Sequence, residues 1–426
     1  MVLDKTASLS IFVLAYAFFV IFPHRRSITA VAASLLILAV MPFVSEDPVT
    51  PALAFGFIHW NVMGVFFGVL VLADLLMKSN MPAVLAERLI ERSGSAWMAM
   101  LLICALSSAV SMFAENVATV LLIAPLAVET ARKLKVSPVM LMIGVAISSN
   151  LQGTATLIGD PPSMILAANQ RMTFNDFFVY QGRLSIFFFV EFGALVSFIV
   201  LYLFFRKHHQ RVEVERHEQL RSIVPSVLMG SLVLALVVAS FIDPDFVWLS
   251  GTLCMAWALV GVVWHVKKYR GLGKLLWHFD WDTTFFLMGV FVLVSTLTHV
   301  GWIDEITGGI AAITGRSLAA KFFVLVTISV VVSAFVDNVP YLMAMIPVAQ
   351  SLADGPQQIL LLFGLLIASC IGGNITPIGA SANIVTVGYL RRHGYHVTFR
   401  TFMKLGIPFT LVATAAASAF LWLVWG

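Results

Sequence analysis

A chain of 426 residues that is 60% hydrophobic and 11% charged, with a mean hydropathy of +0.96, has little to present to water. Soluble domains run about 45 to 50% apolar and about 25% charged, so the composition excludes a soluble enzyme and identifies an integral membrane protein. The formal net charge of +4 is too small and too dispersed for nucleic-acid binding, and at roughly 20 residues per crossing the length allows on the order of ten to fourteen spans without a separate soluble domain.

Taken in order, the apolar stretches predict spans at 8–22, 28–45 and 62–77. The first has no small-residue cleavage signal and leads straight to basic residues, so it is expected to be retained. A hairpin over 95–133 follows, then a helix over 138–170 broken by glycine and proline, and a span at 184–205. A basic segment, 206–222, is read as a solvated linker. Beyond it come spans at 223–242, 246–265 and 283–300, a hairpin over 318–353, a broken helix over 357–390 and a last span at 404–425. Residues 95–131 and 318–353 are each too long for one crossing and carry a polar pair midway, Glu115-Asn116 and Asp337-Asn338. Two tight spans or one re-entrant hairpin would both fit. Arms of about 12 to 20 residues with polar tips favour the hairpin, because half-helix ends need water or ligand.

Charge orients the chain. With both hairpins re-entrant and the N- and C-termini outside, 21 of the 26 Lys and Arg, Arg25 and Arg26 among them, fall in cytoplasmic segments. Only Lys5, Arg171, Arg183, Arg316 and Lys321 stay outside. The linker 206–222 is then cytoplasmic, and a bacterial inner membrane is the expected location. Tryptophans such as Trp60, Trp281, Trp302 and Trp425 fall near span ends, as aromatic belts do, and Cys104, Cys254 and Cys370 read as small buried residues.

The halves echo each other. Trp60 and Trp281, Glu115 and Asp337, and Thr156 and Thr376 are separated by 221, 222 and 220 residues. Five spans per half is an odd number, so the second copy must run upside down. The expected fold is therefore an all-α polytopic membrane protein of two inverted repeats, 1–205 and 223–426, each with five spans, one re-entrant helical hairpin and discontinuous helices. Inverted repeats with broken helices form a central site in secondary transporters.

Four polar breaks supply the candidate site. They are Glu115-Asn116; Gly153-Thr154-Ala-Thr156-Leu-Ile-Gly159-Asp160-Pro161-Pro162; Asp337-Asn338-Val-Pro340; and Gly372-Gly373-Asn374-Ile-Thr376-Pro377-Ile-Gly379-Ala-Ser381-Ala-Asn383. A carboxylate at mid-membrane costs at least about 2.5 to 3.5 kcal/mol unless a cation, proton or partner offsets it. Glu115 and Asp337 are therefore the expected proton-coupling acids, with stabilisation of a hairpin tip as their alternative role. The expected substrate-binding set is Asn116, Gly153, Thr154, Thr156, Asp160, Asn338, Asn374, Thr376, Ser381 and Asn383. Asp160 precedes Pro161 and serves either as a helix cap or as a ligand. Asp74 and Asp282 are expected to face interfacial water, and Glu191 is a further candidate relay. No phosphate-binding loop occurs, so the energy must come from an ion gradient or a partner. Gly159-Asp160 is reminiscent of an intramembrane aspartyl protease, but Leu157 replaces the motif's first glycine and no Tyr-Asp pair offers a second acid. No cofactor or metal site is expected.

These motifs, together with Phe113-Ala-Glu-Asn-Val117 and Phe279-Asp-Trp-Asp282, make residues 55–425 resemble the ion transporter superfamily. Within it they are most similar to the branch of arsenite permeases and NhaD-type sodium/proton antiporters that includes the melanosomal P protein. The resemblance implies scaffold and transport domains, a homodimer, elevator-like alternating access and no enzymatic activity. It leaves open a cytoplasmic ATPase partner and a substrate among arsenite, sodium, silicic acid and citrate. Related dicarboxylate symporters carry Ser-Asn-Thr at their hairpin tips, where this chain has Glu115-Asn116-Val117 and Asp337-Asn338-Val339. Two acids there argue against a multiply charged anion. Proton-coupled efflux of arsenite or antimonite, a small inorganic solute that is neutral near pH 7, is the first expectation, and sodium/proton antiport the second.

Overall fold

The computed structural model describes residues 2–22, 25–133, 136–210, 219–269 and 280–426. The middle of the expected linker, Lys135, Arg270, Lys274 and Phe279 lie outside the described residues.

The fold is all-α. In the first half the helices are α1 (Val2–Ile21), α2 (Arg26–Val44), α3 (Pro51–Phe57), α4 (Trp60–Lys78), α5 (Met81–Glu91), α6 (Ala96–Ser111), α7 (Asn116–Lys133), α8 (Val139–Gly153), α9 (Pro161–Gln170) and α10 (Ile186–Phe205). In the second half they are α11 (Val224–Ile242), α12 (Leu249–Tyr269), α13 (Trp281–His299), α14 (Trp302–Thr314), α15 (Leu318–Ser333), α16 (Asn338–Leu352), α17 (Gly355–Gly372), α18 (Ser381–Arg392) and α19 (Phe399–Trp425). Eight of the described helices are long and apolar enough to cross a membrane. Two pairs of shorter helices, α6 with α7 and α15 with α16, meet at the polar tips Glu115-Asn116 and Asp337-Asn338. The second arm of each pair carries an internal proline, Pro125 or Pro347.

Packing follows the sequence offset. Helix α4 packs along α12 and α13 along α2; α6 packs on α8 and α15 on α17; α1 pairs with α2 and α11 with α12. Small residues permit this closeness, as they do where lipid supplies no hydrophobic drive between helices. A Cβ on Gly64 would lie 3.0 Å from the Cα of Gly251, and one on Gly289 would lie 2.7 Å from the backbone of Ala30. Helices α10 and α19 also pack against each other, where a Cβ on Gly193 would meet the Ala413 carbonyl at 2.8 Å.

Short connections tie the ends. The Arg221 amide donates to the Ser79 carbonyl at 3.0 Å and the Ala96 amide to the Gln210 carbonyl at 2.9 Å, so both described ends of the linker dock beside α5. Lys5 pairs with Glu305 of α14 at 2.7 Å. Between α9 and α10, strands Val179–Tyr180 and Arg183–Leu184 form a two-residue hairpin. Its turn, Gln181-Gly182, has φ of 48° and 76°, the left-handed pair that tight hairpins require.

Candidate functional site

Each broken helix forms because its glycines let backbone cross backbone. Helix α8 stops at Gly153 and α9 restarts at Pro161; α17 stops at Gly372, a short 3₁₀ turn covers Gly373–Ile375, and α18 restarts at Ser381. A Cβ on Gly379 would lie 2.6 Å from the Gly373 carbonyl and 2.7 Å from that of Ala334. Gly159 faces the carbonyls of Gly153 and Ser111. The threonines stitch each break to its hairpin: Thr156 donates to the Met112 carbonyl at 2.5 Å, and Thr376 donates to the Ala334 carbonyl.

The tips and breaks converge. Glu115, Asn116, Asn150, Asp160, Asp337, Asn338 and Ser381 line one small cavity together with Arg26 and Thr283. An adjoining cavity of about 280 Å³ shares Arg26, Asp337 and Ser381 with it and adds Asp280 and Asp282. Asn116 donates to Asp160 at 3.1 Å and accepts from Ser111, while Ser149 donates to Ser111 at 2.9 Å. Gly153 makes room for this: a Cβ there would lie 2.6 Å from Asn116 Oδ1. Glu115 accepts from the Ala118 amide and Asp337 from the Val339 amide, each at 3.1 Å. Both acids thus also serve the first turn of the second hairpin arm.

Arg26 is the feature that the sequence placed elsewhere. It is read as a cytoplasmic loop cation, but it starts α2 and its guanidinium points into the site. Nη1 donates to Ser381 Oγ at 2.8 Å and to Asp337 Oδ2 at 3.3 Å, Nη2 to Thr283 Oγ1 at 2.8 Å, and Nε to Asp282 Oδ2 at 3.2 Å. The guanidinium carbon lies 5.0 Å from the centre of the Phe286 ring. Asp282, expected to face water, accepts from Arg26 and from Ser27. A basic residue beside a span end carries no local sign that distinguishes these two fates.

The remaining candidates lie apart from the cavities, and several of them hold backbone. Gly153, Thr154, Thr156, Asn374, Thr376 and Asn383 line neither cavity. The Thr154 carbonyl accepts from Ser163. Asn383 donates to the carbonyls of Gly373 and Thr376, both at 2.9 Å, and Asn374 donates to the Ile147 carbonyl at 3.1 Å. A carbonyl freed by a helix break must find a donor inside a bilayer, and Asn383 supplies it at the second break, whereas Asn374 reaches across to α8. Asn150, within the continuous part of α8, donates to Asn374 and Asn383 at 2.9 and 3.0 Å and so joins the two halves. Glu191 lines neither cavity, and Asp74 is held by Lys78 at 2.6 Å.

The site's charge is lopsided. Among the described residues, five carboxyl groups, on Glu115, Asp160, Asp280, Asp282 and Asp337, surround one guanidinium. Arg26 reaches Asp282 and Asp337. Among the described residues Glu115 and Asp160 make no ion pair within 4 Å. A carboxylate withdrawn from water without a counter-ion is costly unless a proton or a cation joins it.

Comparison with known proteins gives a consistent outline. Residues 16–361 and 271–425 match the family model described as citrate transporter. An uncharacterized transporter of Mycobacterium tuberculosis is 28% identical over 98% of this chain and 98% of its own length. One from Synechocystis is 29% identical over 86% of each. The P protein of Sus scrofa is 25% identical over 93% of this chain, which spans 57% of that larger protein. In three dimensions the chain is similar to the YdaH transporter of Alcanivorax borkumensis, with a TM-score of 0.61 at 11% identity, covering 99% of this chain and 97% of that one. It is similar also to MtrF of Neisseria gonorrhoeae, described as one of a class of antimetabolite efflux pumps, with a TM-score of 0.58 at 12% identity over 98% and 94%. At such identities the likeness is one of fold alone.

Proposed function

We propose, from the premise that this chain belongs to the citrate transporter family and is a secondary transporter, that it exchanges protons for a small solute without net negative charge. The observation that carries the reading is the excess of carboxyl groups, with Glu115, Asp160 and Asp337 around one cavity and Arg26 as its one lining base among the described residues. Glu115 and Asp337 are the proposed proton-coupling acids, with Asp160 beside them. Asn116, Asn338 and Ser381 are the neutral groups placed to touch the solute. Efflux of arsenite or antimonite as the neutral trihydroxide suits this set, because no charge needs burying. Sodium/proton antiport is the second reading, favoured by two acids that lack a cation. A tricarboxylate such as citrate would enter beside like charges, which disfavours it. In this reading the duplicated packing belongs to two inverted repeats, and the linker 206–222 faces the cytoplasm.

Proteoliposomes containing a pH-sensitive dye and challenged separately with arsenite, antimonite, sodium, lithium and citrate test the proposal. Proton movement opposite to arsenite, antimonite or sodium is expected. Movement with citrate alone, or with none of the five, would overturn it. A label in the linker that reacts only from outside intact cells would reverse the orientation.

A further inference from the structure

The duplicated fold contains its own control for Arg26. At the start of α4, Asn61 donates to the Phe246 carbonyl and accepts from the Gly251 amide, both at 2.8 Å, which holds the beginning of α12. Asp282 occupies the equivalent place at the start of α13, where it accepts from Ser27 and from Arg26 Nε and holds the beginning of α2. One copy of the junction needs only a neutral amide and backbone. The other uses a guanidinium whose far side passes beyond the junction to Asp337 at the hairpin tip and Ser381 at the restart of α18. Holding two helices together does not require that reach.

We propose that Arg26 is the resident counter-cation of the exchange site, pairing Asp337 whenever neither proton nor transported solute occupies it. This rests on the proton-coupled reading above. Arg26 stands on α2 and is anchored to α13 through Asp282 and Thr283, while Asp337 and Ser381 belong to the hairpin tip and the broken helix. The pair therefore ties the elements that carry the site to the helices beside them. A proton or cation on Asp337 removes the charge that Arg26 neutralises and loosens the tie; an empty, charged Asp337 keeps it. Exchange then stays obligatory, because a carrier that crosses once with a proton and returns empty would only leak protons. The other acids facing the guanidinium are Asp282 and Asp280, with Glu115 and Asp160 in the adjoining space.

The test is the decay of an imposed pH gradient in proteoliposomes without counter-substrate. Wild type should hold the gradient nearly as well as protein-free vesicles. Arg26→Gln should dissipate it about tenfold faster, the change expected from losing one charge-assisted contact. Asp282→Asn, which keeps the guanidinium but weakens its anchor, should leak in the same direction by less. Adding Asp337→Asn to Arg26→Gln should return the leak to wild type, because the leaking proton has lost its site; a merely structural arginine would leave the double variant no better. If Arg26→Gln does not yield a monodisperse protein, Asp282→Asn decides alone. Wild-type retention of the gradient in the single variants, while substrate-driven exchange persists, overturns the role of Arg26 and leaves the transport reading intact. Absence of coupled exchange in wild type overturns the transport reading instead.

Discussion

The two helix breaks share a backbone and differ in chemistry. Asp160 and Ala380 sit at the same point, just before the restarting half-helix, with φ and ψ of −149° and 146° in one and −144° and 149° in the other. Each is preceded by a glycine that only a hydrogen can fill, and each break is fastened to its hairpin by a threonine. In the first break a carboxylate leads into Pro161-Pro162, which carry no amide hydrogens. In the second a methyl group leads into Ser381, whose hydroxyl accepts from Arg26. The shared residues build the break, and the divergent ones decide what it holds. One side of the cavity is thereby made to attract positive charge, and the other already contains it.

The largest expected effect comes from neutralising the acids. Glu115→Gln, Asp160→Asn and Asp337→Asn each remove a titrating group at nearly constant size, and each should lower proton-driven uphill transport by about tenfold to a hundredfold. Wild-type accumulation in all three would leave Glu115 and Asp337 as helix caps, deny Asp160 a coupling role and shift attention to Glu191. Moving the acid sharpens the contrast: Asp160→Ala combined with Ala380→Asp conserves the carboxylate count but sets the new acid beside Arg26. Transport should stay as low as in Asp160→Ala alone, and recovery in the swapped protein would show that the breaks are interchangeable.

Changes to the shared residues should act on stability, and equally in both halves. Gly159→Ala and Gly379→Ala press a methyl group onto backbone carbonyls, and each should cost about 1 to 3 kcal/mol, read as a lower melting temperature in detergent. Unequal losses would mean that the breaks differ in architecture as well as in chemistry. The smallest effect is expected for Thr156→Val and Thr376→Val, about 1 kcal/mol apiece for one buried hydrogen bond. A purified variant that melts like wild type would show that a neighbouring donor replaces the threonine.

The breaks were legible in the sequence because a polar pair or a Gly-Pro run interrupts apolar helix, and within a bilayer such interruptions need a reason. What each polar residue does there was not legible. Asn383 satisfies carbonyls that its own break exposes, Thr376 fastens the break to the hairpin and Asn374 reaches across to α8, and composition cannot distinguish these roles from binding a solute. Asn150 was missed because it disrupts no helix and gains its meaning only from Asn374 and Asn383, more than two hundred residues away. Arg26 was misread for a related reason. Counting basic residues per loop treats them all as solvated, whereas the first turn of α2 turns this one inward.

The crossed packing of α4 on α12 and of α13 on α2 has a consequence for how the protein is made. When α4 enters the membrane, the helix that covers its glycine face has not yet been synthesised, and Gly64 and Gly68 remain against lipid until Gly251 and Cys254 arrive. The first half therefore cannot complete its packing as a finished unit while the ribosome is still translating the second. Helix α2 waits longer still, for Gly289. Assembly is deferred until most of the chain is inserted, and a partly translated chain exposes the small-residue surfaces through which it could pair with a neighbouring copy.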